Sequence, residues 1–533
     1  MKTGRLRKDA GVLGLLLAGV TTLIGSGWLF APMSAARDAG PLSILSWVIA
    51  SGVIALISLI YAELGPMFPK SGGLVHMSLV SHGRLLGRVW SWILFLAYIS
   101  IAPVEAMAVV TYAGSYIHGL VDPQTLLLTG AGTWAAVGVL AALAALNFMV
   151  LRLVLLFNSI ATWVKILTPV GTIAVLLAFS HHPSNLAVHT GVEHGWVAML
   201  TTVSTAGVFF SLFGFSQPIA LAGEAKDPGR ALPIVVLGTT AIGAAIFILL
   251  QYAFVTAVPP ELLAGSGWHG LSFGGVAGPF AGLAVVIGAS FWATVLYADA
   301  IISPAMCGYM WVTTTPRILY AMGEEGLWPR FFTRVSSHGV PWVGVLATFL
   351  IGTLFLLPFP SWQKLVAYAS SATVLSYGIG PVVLLAMRRA APGSPRPFRL
   401  PAAALMAPLA FIASNFVMFW AGCAALSFLL ALIAATFTGY ALYCLLRGAG
   451  PTELAEWRHS AWLLPYFAGM WLICYLSPVS MGGIGYLDIF EGMAAIILLS
   501  LLTLHLALKS TLPPAAVAES YRAVTRSTPG PEA

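Results

Sequence analysis

Apolar runs of membrane-crossing length recur from Gly11 to Leu508, joined by short polar connections, without the period-2 alternation of a lipid-facing barrel strand. The pattern predicts an all-α integral membrane protein of about fourteen transmembrane helices. Those used below are span one at 10–36, two at 41–64, three at 86–118, five at 153–180, six at 196–222, eight at 277–313 and ten at 362–388. Two of them are broken at glycines, at Ile24-Gly25-Ser26-Gly27-Trp28 and at Phe213-Gly214-Phe215-Ser216-Gln217-Pro218. Backbone groups freed in hydrocarbon are costly unless they line a cavity or bind something, so the pair of breaks points to a buried ligand site.

The breaks also organise the chain. Residues 1–9 precede the spans, 10–180 hold spans one to five, and 196–388 hold spans six to ten. Four further spans occupy 403–509, and the Pro- and Ser-bearing tail 510–533 is expected to be disordered. Each set of five opens with a broken helix. Because five is odd, the second set starts from the opposite side, as in repeats of inverted topology.

Composition and charge agree with this picture. Hydrophobic residues make up 59% of the chain and charged residues 8%, with a mean hydropathy of +0.92, which excludes an ordinary soluble domain. With the N-terminus inside, all but three of the 25 Lys and Arg fall in cytoplasmic segments, the exceptions being Arg37, Lys165 and Lys364. An even number of spans puts the C-terminus inside as well, and the expected location is the cell membrane. The net charge of +7 therefore describes a membrane face suited to anionic lipid, and no basic groove for nucleic acid is present. Lys2 to Lys8 followed by Val12 to Val20 imitates a signal peptide, but the apolar run continues to Ala36.

Cys307, Cys423, Cys444 and Cys474 are scattered through apolar spans and read as packing thiols. His76, His82, His181, His182, His189 and His194 fall in connections and read as solvated side chains. Neither a metal site nor a cofactor is expected, and no nucleotide-binding motif occurs.

The breaks carry the chemistry. Amides freed at Ile24, Gly25, Ser26 and Gly27, with the half-helix dipole behind them, suit an anion such as a carboxylate. Carbonyls freed at Phe213, Gly214, Phe215 and Ser216 suit an ammonium. Together they match the paired charges of an α-amino acid. The plainer alternative is that the glycines let helices pack closely.

Three charges lie deep in spans. Lys165 is about twelve residues into span five, roughly 18 Å at 1.5 Å per residue, where insertion of a lysine costs about 2.5 to 3.5 kcal/mol. Asp299 in span eight lies at a similar depth, with Ser303 one turn further, and Glu105 follows Pro103 in span three. Lys165 and Asp299 are expected to form a proton-responsive couple, with Glu105 as a further proton-coupling group. The alternatives are a static cation tethering spans one, five and eight, and a neutral Glu105 bonded to a neighbouring helix. Glu63 and Glu224, ending spans two and six, read as inner-gate or loop-anchoring groups.

Five segments in order, IGSGWLFAP (Ile24 to Pro32), YAELGPMFPKSGG (Tyr61 to Gly73), FGFSQPIALAGEAKDPGRALP (Phe213 to Pro233), TPRILYAMGEEGLWPRFF (Thr315 to Phe332) and RPFRLP (Arg396 to Pro401), resemble the amino acid, polyamine and organocation transporter superfamily. The resemblance covers Gly11 to about Pro401; the last four spans match in number alone. The glycine motif followed by Trp28, and YADAIISP (Tyr297 to Pro304), look most like the branch containing a bacterial aspartate-proton symporter.

The resemblance implies the leucine-transporter fold, a 5+5 inverted repeat with discontinuous helices one and six. It implies amino acid uptake by a secondary transporter rather than an enzyme, with Phe210 as an aromatic gate and Phe215 near the substrate side chain. It also puts Lys165 where sodium-coupled relatives hold sodium, implying sodium-independent symport with protons. Exchange of amino acids is the mechanistic alternative, and an amino acid sensor on the same fold is the alternative of a different class.

Overall fold

A computed structural model describes residues 11–122, 125, 127–148, 151–189, 195–273, 278–336, 339–357, 361–447 and 457–526. Residues 1–9, His194 and 527–533 lie outside the described residues, as do the side chains of Arg152 and Cys444. Among the described residues the structure is helical, with one isolated bridge between Val121 and Leu128.

The chain begins with α1 (Val12–Leu23), α2 (Gly27–Ala39), α3 (Ser43–Met67), α4 (Gly73–His82), α5 (Arg84–Ile99), α6 (Ile101–Ala113), α7 (Gly130–Leu146) and α8 (Leu151–Phe179). It continues through α9 (Gly195–Thr205), a 3-10 segment (Phe210–Ser216), α10 (Gln217–Ala220), α11 (Pro228–Ala257), α12 (Pro279–Val286), α13 (Ser290–Glu324) and α14 (Trp342–Leu356). The last elements are α15 (Trp362–Tyr377), α16 (Ile379–Ala390), α17 (Ala403–Trp420), α18 (Cys423–Arg447), α19 (Leu463–Leu476), α20 (Ile489–Lys509) and α21 (Pro514–Arg526). With α2 and α3, α5 and α6, and α15 and α16 each taken as one continuous helix, eight of the described helices are long and apolar enough to cross a membrane, or nine if the bent pair Gly195–Thr205 and Phe210–Ala220 is one span. Shorter apolar helices, including α1, α7 and α14, accompany them.

Packing is paired. α1 lies on the 3-10 segment, α3 on α11, α6 on α13 and α7 on α14. α5 and α6 are largely buried, whereas a third of the apolar stretch of α8 from Ala161 onward and of α20 is buried inside the protein. In hydrocarbon there is no hydrophobic drive between helices, so close side-chain packing and internal hydrogen bonds hold these contacts. α17 flanks α3, α15 and α16, with α20 and α19 behind it.

The charged motif residues pair with one another. Glu63, fully buried, accepts from Arg388 Nε at 3.0 Å and from the Leu400 amide at 2.7 Å, and Arg396 Nε lies 3.3 Å from it. Glu224 takes Arg317 at 2.9 Å. A carboxylate withdrawn from water in this way requires its guanidinium partners, and losing one would leave an uncompensated buried charge.

Two expectations from sequence fail here. His76 and His82 are not solvated, because the connection after span two folds into α4 and buries both. His76 Nδ1 lies 2.9 Å from Glu325, and His82 Nε2 lies 3.0 Å from the Ala507 carbonyl. With Lys70 beside it, His76 holds the Glu325 carboxyl below its ordinary range.

The tail is the second. Pro514 starts a helix where its missing amide costs nothing, and Val517, Tyr521 and Val524 then fall on one face. Val517 and Val524 are buried, Tyr521 meets Phe68 edge to face at 5.7 Å, and the Leu512 amide donates to Ser81 O. α21 thus packs on α4 and α16.

Burial pushes His82 down to about 4 from 6.5, against the help of its bond to Ala507. The imidazole stays neutral in the folded protein while an unfolded chain protonates, so stability is lost as pH falls from 6.5 towards 4, by up to about 3 kcal/mol. Thermal unfolding in detergent across that window is expected to show the loss in the native protein and a flatter profile in His82→Gln.

Candidate functional site

In a continuous helix, residues 25 and 26 would donate to the carbonyls of Thr21 and Thr22. The break between α1 and α2 stops this, and each freed group takes another partner. The Ile24 amide still reaches Val20 O at 3.0 Å, and the Gly25 amide turns back to Leu23 O at 3.2 Å. The Ser26 amide donates to Glu105 Oε2 of α6 at 2.8 Å. Thr21 O accepts from Lys165 Nζ of α8 at 2.6 Å, and Thr22 O accepts from Cys307 Sγ of α13 at 3.2 Å. Three helices therefore converge on one interruption. A Cβ at Gly25 would lie 2.5 Å from Glu105 Oε1 and 2.7 Å from Cys307 Sγ, so only glycine admits them.

The second interruption begins earlier than the sequence suggested. α9 ends at Thr205, Gly207 takes φ +85°, and the chain bends by 47° before the 3-10 segment. Gly214 marks a close approach instead, since a Cβ there would lie 2.5 Å from Gly19 O. The carbonyls named from sequence already have contacts. Gly214 O accepts from the Gln217 amide and from Thr22 Oγ1 at 3.3 Å, and Phe213 O, within the 3-10 segment, is approached by Ser216 Oγ at 3.3 Å and Tyr377 OH at 3.5 Å. Ser216 itself accepts from Tyr98 at 3.0 Å and Tyr377 at 2.7 Å.

Lys165, fully buried, donates also to Ser303 O at 2.9 Å, while Ser303 Oγ donates to Asp299 Oδ2 at 2.8 Å. No direct Lys165–Asp299 ion pair within 4.0 Å is present among the described residues, so the expected couple runs through Ser303. The ammonium is held by one carbonyl oxygen near the end of α1 and one within α13, the kind of ligand that a small cation would also take. Thr21 and Thr162 hydroxyls are in contact beside it.

A small cavity lies between the interruptions, lined by Gly25, Gly27, Glu105, Phe210, Ser211 and Phe213, with Thr22, Leu23, Ile101, Cys307 and Trp311 completing the wall. It has room for about one water molecule. Of the residues named from sequence, Gly25, Gly27, Phe210, Phe213 and Glu105 meet here. Ser26 is not in the wall, but its amide holds the wall residue Glu105. Ile24, Gly214, Ser216, Lys165 and Asp299 stand behind the wall, and Phe215 turns away to pack on Tyr377 at 5.0 Å and Tyr61 at 6.2 Å. Glu105 Oε1 faces the cavity region without a hydrogen-bond partner among the described residues.

Cys307, Trp311 and Ser211 were missed by the sequence reading. A signal for two of them exists: Asp299, Ser303, Cys307 and Trp311 recur every four residues and so share one stripe of α13. Ser211 carries no such signal.

Residues 11–439 match the amino acid permease family. The chain is similar to the glutamate/serine transporter AimA of Bacillus subtilis (strain 168), with 36% identity over 95% of this chain and 94% of that protein. It is 32% identical to the aspartate-proton symporter of the same organism, over 90% of this chain and 92% of the other. The serine/threonine exchanger SteT, also of B. subtilis (strain 168), is 24% identical over 78% of this chain and 91% of its own.

Gly25→Ala is expected to push Glu105 and Cys307 off the break and to lower the thermal unfolding temperature in detergent. Gly14→Ala, on the same α1 with open space around it, is the control expected to leave that temperature unchanged.

Proposed function

This chain belongs to the amino acid permease family, and we propose that it takes up amino acids together with protons, independently of sodium. The single observation that carries this reading is the Glu105 carboxyl group on the Ser26 amide: the break accommodates a carboxyl group where a substrate carboxylate would bind. A substrate carboxylate takes that amide and the α2 dipole behind it, and its ammonium takes the Phe213 carbonyl in place of the hydroxyls of Ser216 and Tyr377 that approach it. Two carboxylates do not share one donor in a dry cavity, so Glu105 leaves the break carrying a proton. One proton thereby accompanies each substrate.

Lys165 stands in for a coupling cation by filling the carbonyls of Thr21 and Ser303, and Asp299 is the group that answers its charge through Ser303. The cavity wall offers hydroxyl, thiol and carboxyl groups and no cation, bounded by Phe213 and Trp311. Small polar amino acids such as serine match these groups, and they enter only as the wall moves apart, since the closed cavity holds about one water molecule. An acidic amino acid suits it when Glu105 is protonated, in keeping with relatives named for glutamate, serine and aspartate.

The architecture we propose is the leucine-transporter fold in the cell membrane with both termini cytoplasmic, and transport by alternating access around the two interruptions. Support comes from the pairing of α1, α3, α6 and α7 with the elements five spans on. Exchange is the second reading, favoured by the two carbonyl bonds that make Lys165 a fixed tether.

Proteoliposomes without internal amino acid separate the two. An inward proton gradient is expected to drive accumulation of labelled serine or glutamate, unchanged when sodium is replaced by potassium. Uptake only after loading with internal amino acid would establish exchange. Lys165→Ala is expected to abolish the pH-driven accumulation, and its full retention would remove Lys165 from the mechanism.

A further inference from the structure

Trp362 is the first residue of α15, at a membrane end where an indole usually keeps its N–H in the headgroup region. Here the ring turns inward and is only 4% exposed. Its Nε1 donates to Ser26 Oγ at 3.0 Å, inside the first break. Its ring meets Phe210 edge-on at 6.1 Å and Phe30 of α2 at 4.9 Å.

Gly207, where α9 is interrupted, accommodates the same ring: a Cβ there would lie 2.6 Å from Trp362 Cη2. One side chain thus covers the cavity residue Phe210 and touches α2, the interruption after α9 and the start of α15. Ser26 is held twice, by Glu105 at its amide and by Trp362 at its hydroxyl. Lys364, two residues on, belongs to the end of α15 that the charge distribution puts outside.

We propose that Trp362 is the outer lid of the cavity, latched to Ser26 through its indole N–H and closing over Phe210. The inference rests on the cavity being the substrate site. Entry from outside requires the ring to leave Ser26, Phe210 and Phe30 together. Return of the N–H to Ser26 closes the lid over whatever occupies the neighbouring amide, so binding at the break and closure are coupled through one residue.

Cys307 lines the cavity and reports access to it. The experiment applies a membrane-impermeant thiol reagent to the outside of oriented vesicles, with the adduct on Cys307 quantified by mass spectrometry. Trp362→Phe keeps a ring and removes the N–H, and is expected to raise the labelling rate about two- to tenfold, the range of one neutral hydrogen bond. Trp362→Ala raises it further, and Ser26→Ala matches Trp362→Phe. Reagent trapped inside is expected to label native protein and variants equally, whereas general loosening of the fold would raise both sides. An outside rate unchanged in Trp362→Phe and Ser26→Ala, with L-serine, L-glutamate or L-aspartate still protecting Cys307, overturns the lid and leaves the substrate site standing. Faster labelling in the variants without protection by any of the three leaves the lid and overturns the site.

Discussion

A helix that stops halfway through a membrane leaves amides and carbonyls that neither water nor lipid can satisfy, and in this protein the rest of the site is built around that problem. The break at Gly25 and Ser26 frees two carbonyls and two amides, and α6, α8 and α13 each send one side chain to it. Those side chains are a carboxylate, an ammonium and a thiol. Each is costly in hydrocarbon on its own, and each is stabilised by the backbone group it meets. The break and the deep polar residues therefore hold one another in place, and the cavity lies where they meet.

The same logic makes the arrangement bistable. A backbone amide held by a side-chain carboxylate is a bond that another carboxylate can replace with little change in geometry. The groups around it sit on different helices, so an exchange of partner at Ser26 is felt by α6 through Glu105 and by α15 through Trp362. Glu63 with Arg388 and Arg396 meanwhile ties α3 to α16 and the segment after it, and Glu224 with Arg317 ties the segment after α10 to α13. On the proposed reading, alternating access amounts to rearranging these polar contacts while the apolar packing of α3 on α11 and α6 on α13 moves as units.

Much of the helical framework was legible, because apolar runs of membrane length leave few alternatives. The first break was legible because IGSG combines two glycines within an apolar run. The second was legible in its later part, since Phe213 to Ser216 lie in the 3-10 segment, but not in where it begins, because glycine has two uses: Gly207 bends the chain with a positive φ, whereas Gly214, within the more conspicuous motif, lets α1 approach. Deep charges were visible as costly residues, but not their partners, since Lys165 reaches carbonyls rather than Asp299. The stripe from Asp299 to Trp311 was there to be read as helical spacing. Trp362 was not, because an aromatic at a span end is ordinary and only the inward turn of its ring ties it to Ser26. The tail was hidden by its polarity, which covers a narrow apolar face, and α4 by its short length and its histidines and serines, which are buried with the rest of it.

The central claim is that Glu105 occupies the place of a substrate carboxylate on the Ser26 amide. Titration of L-serine and L-aspartate into purified native protein and Glu105→Gln, at acidic and at neutral pH, tests it most directly. The account predicts native affinity that strengthens on acidification, and a Gln variant that binds about tenfold tighter at neutral pH, one charge-assisted hydrogen bond's worth, with no pH dependence. Native affinity independent of pH, together with loss of binding in the Gln variant, would contradict it.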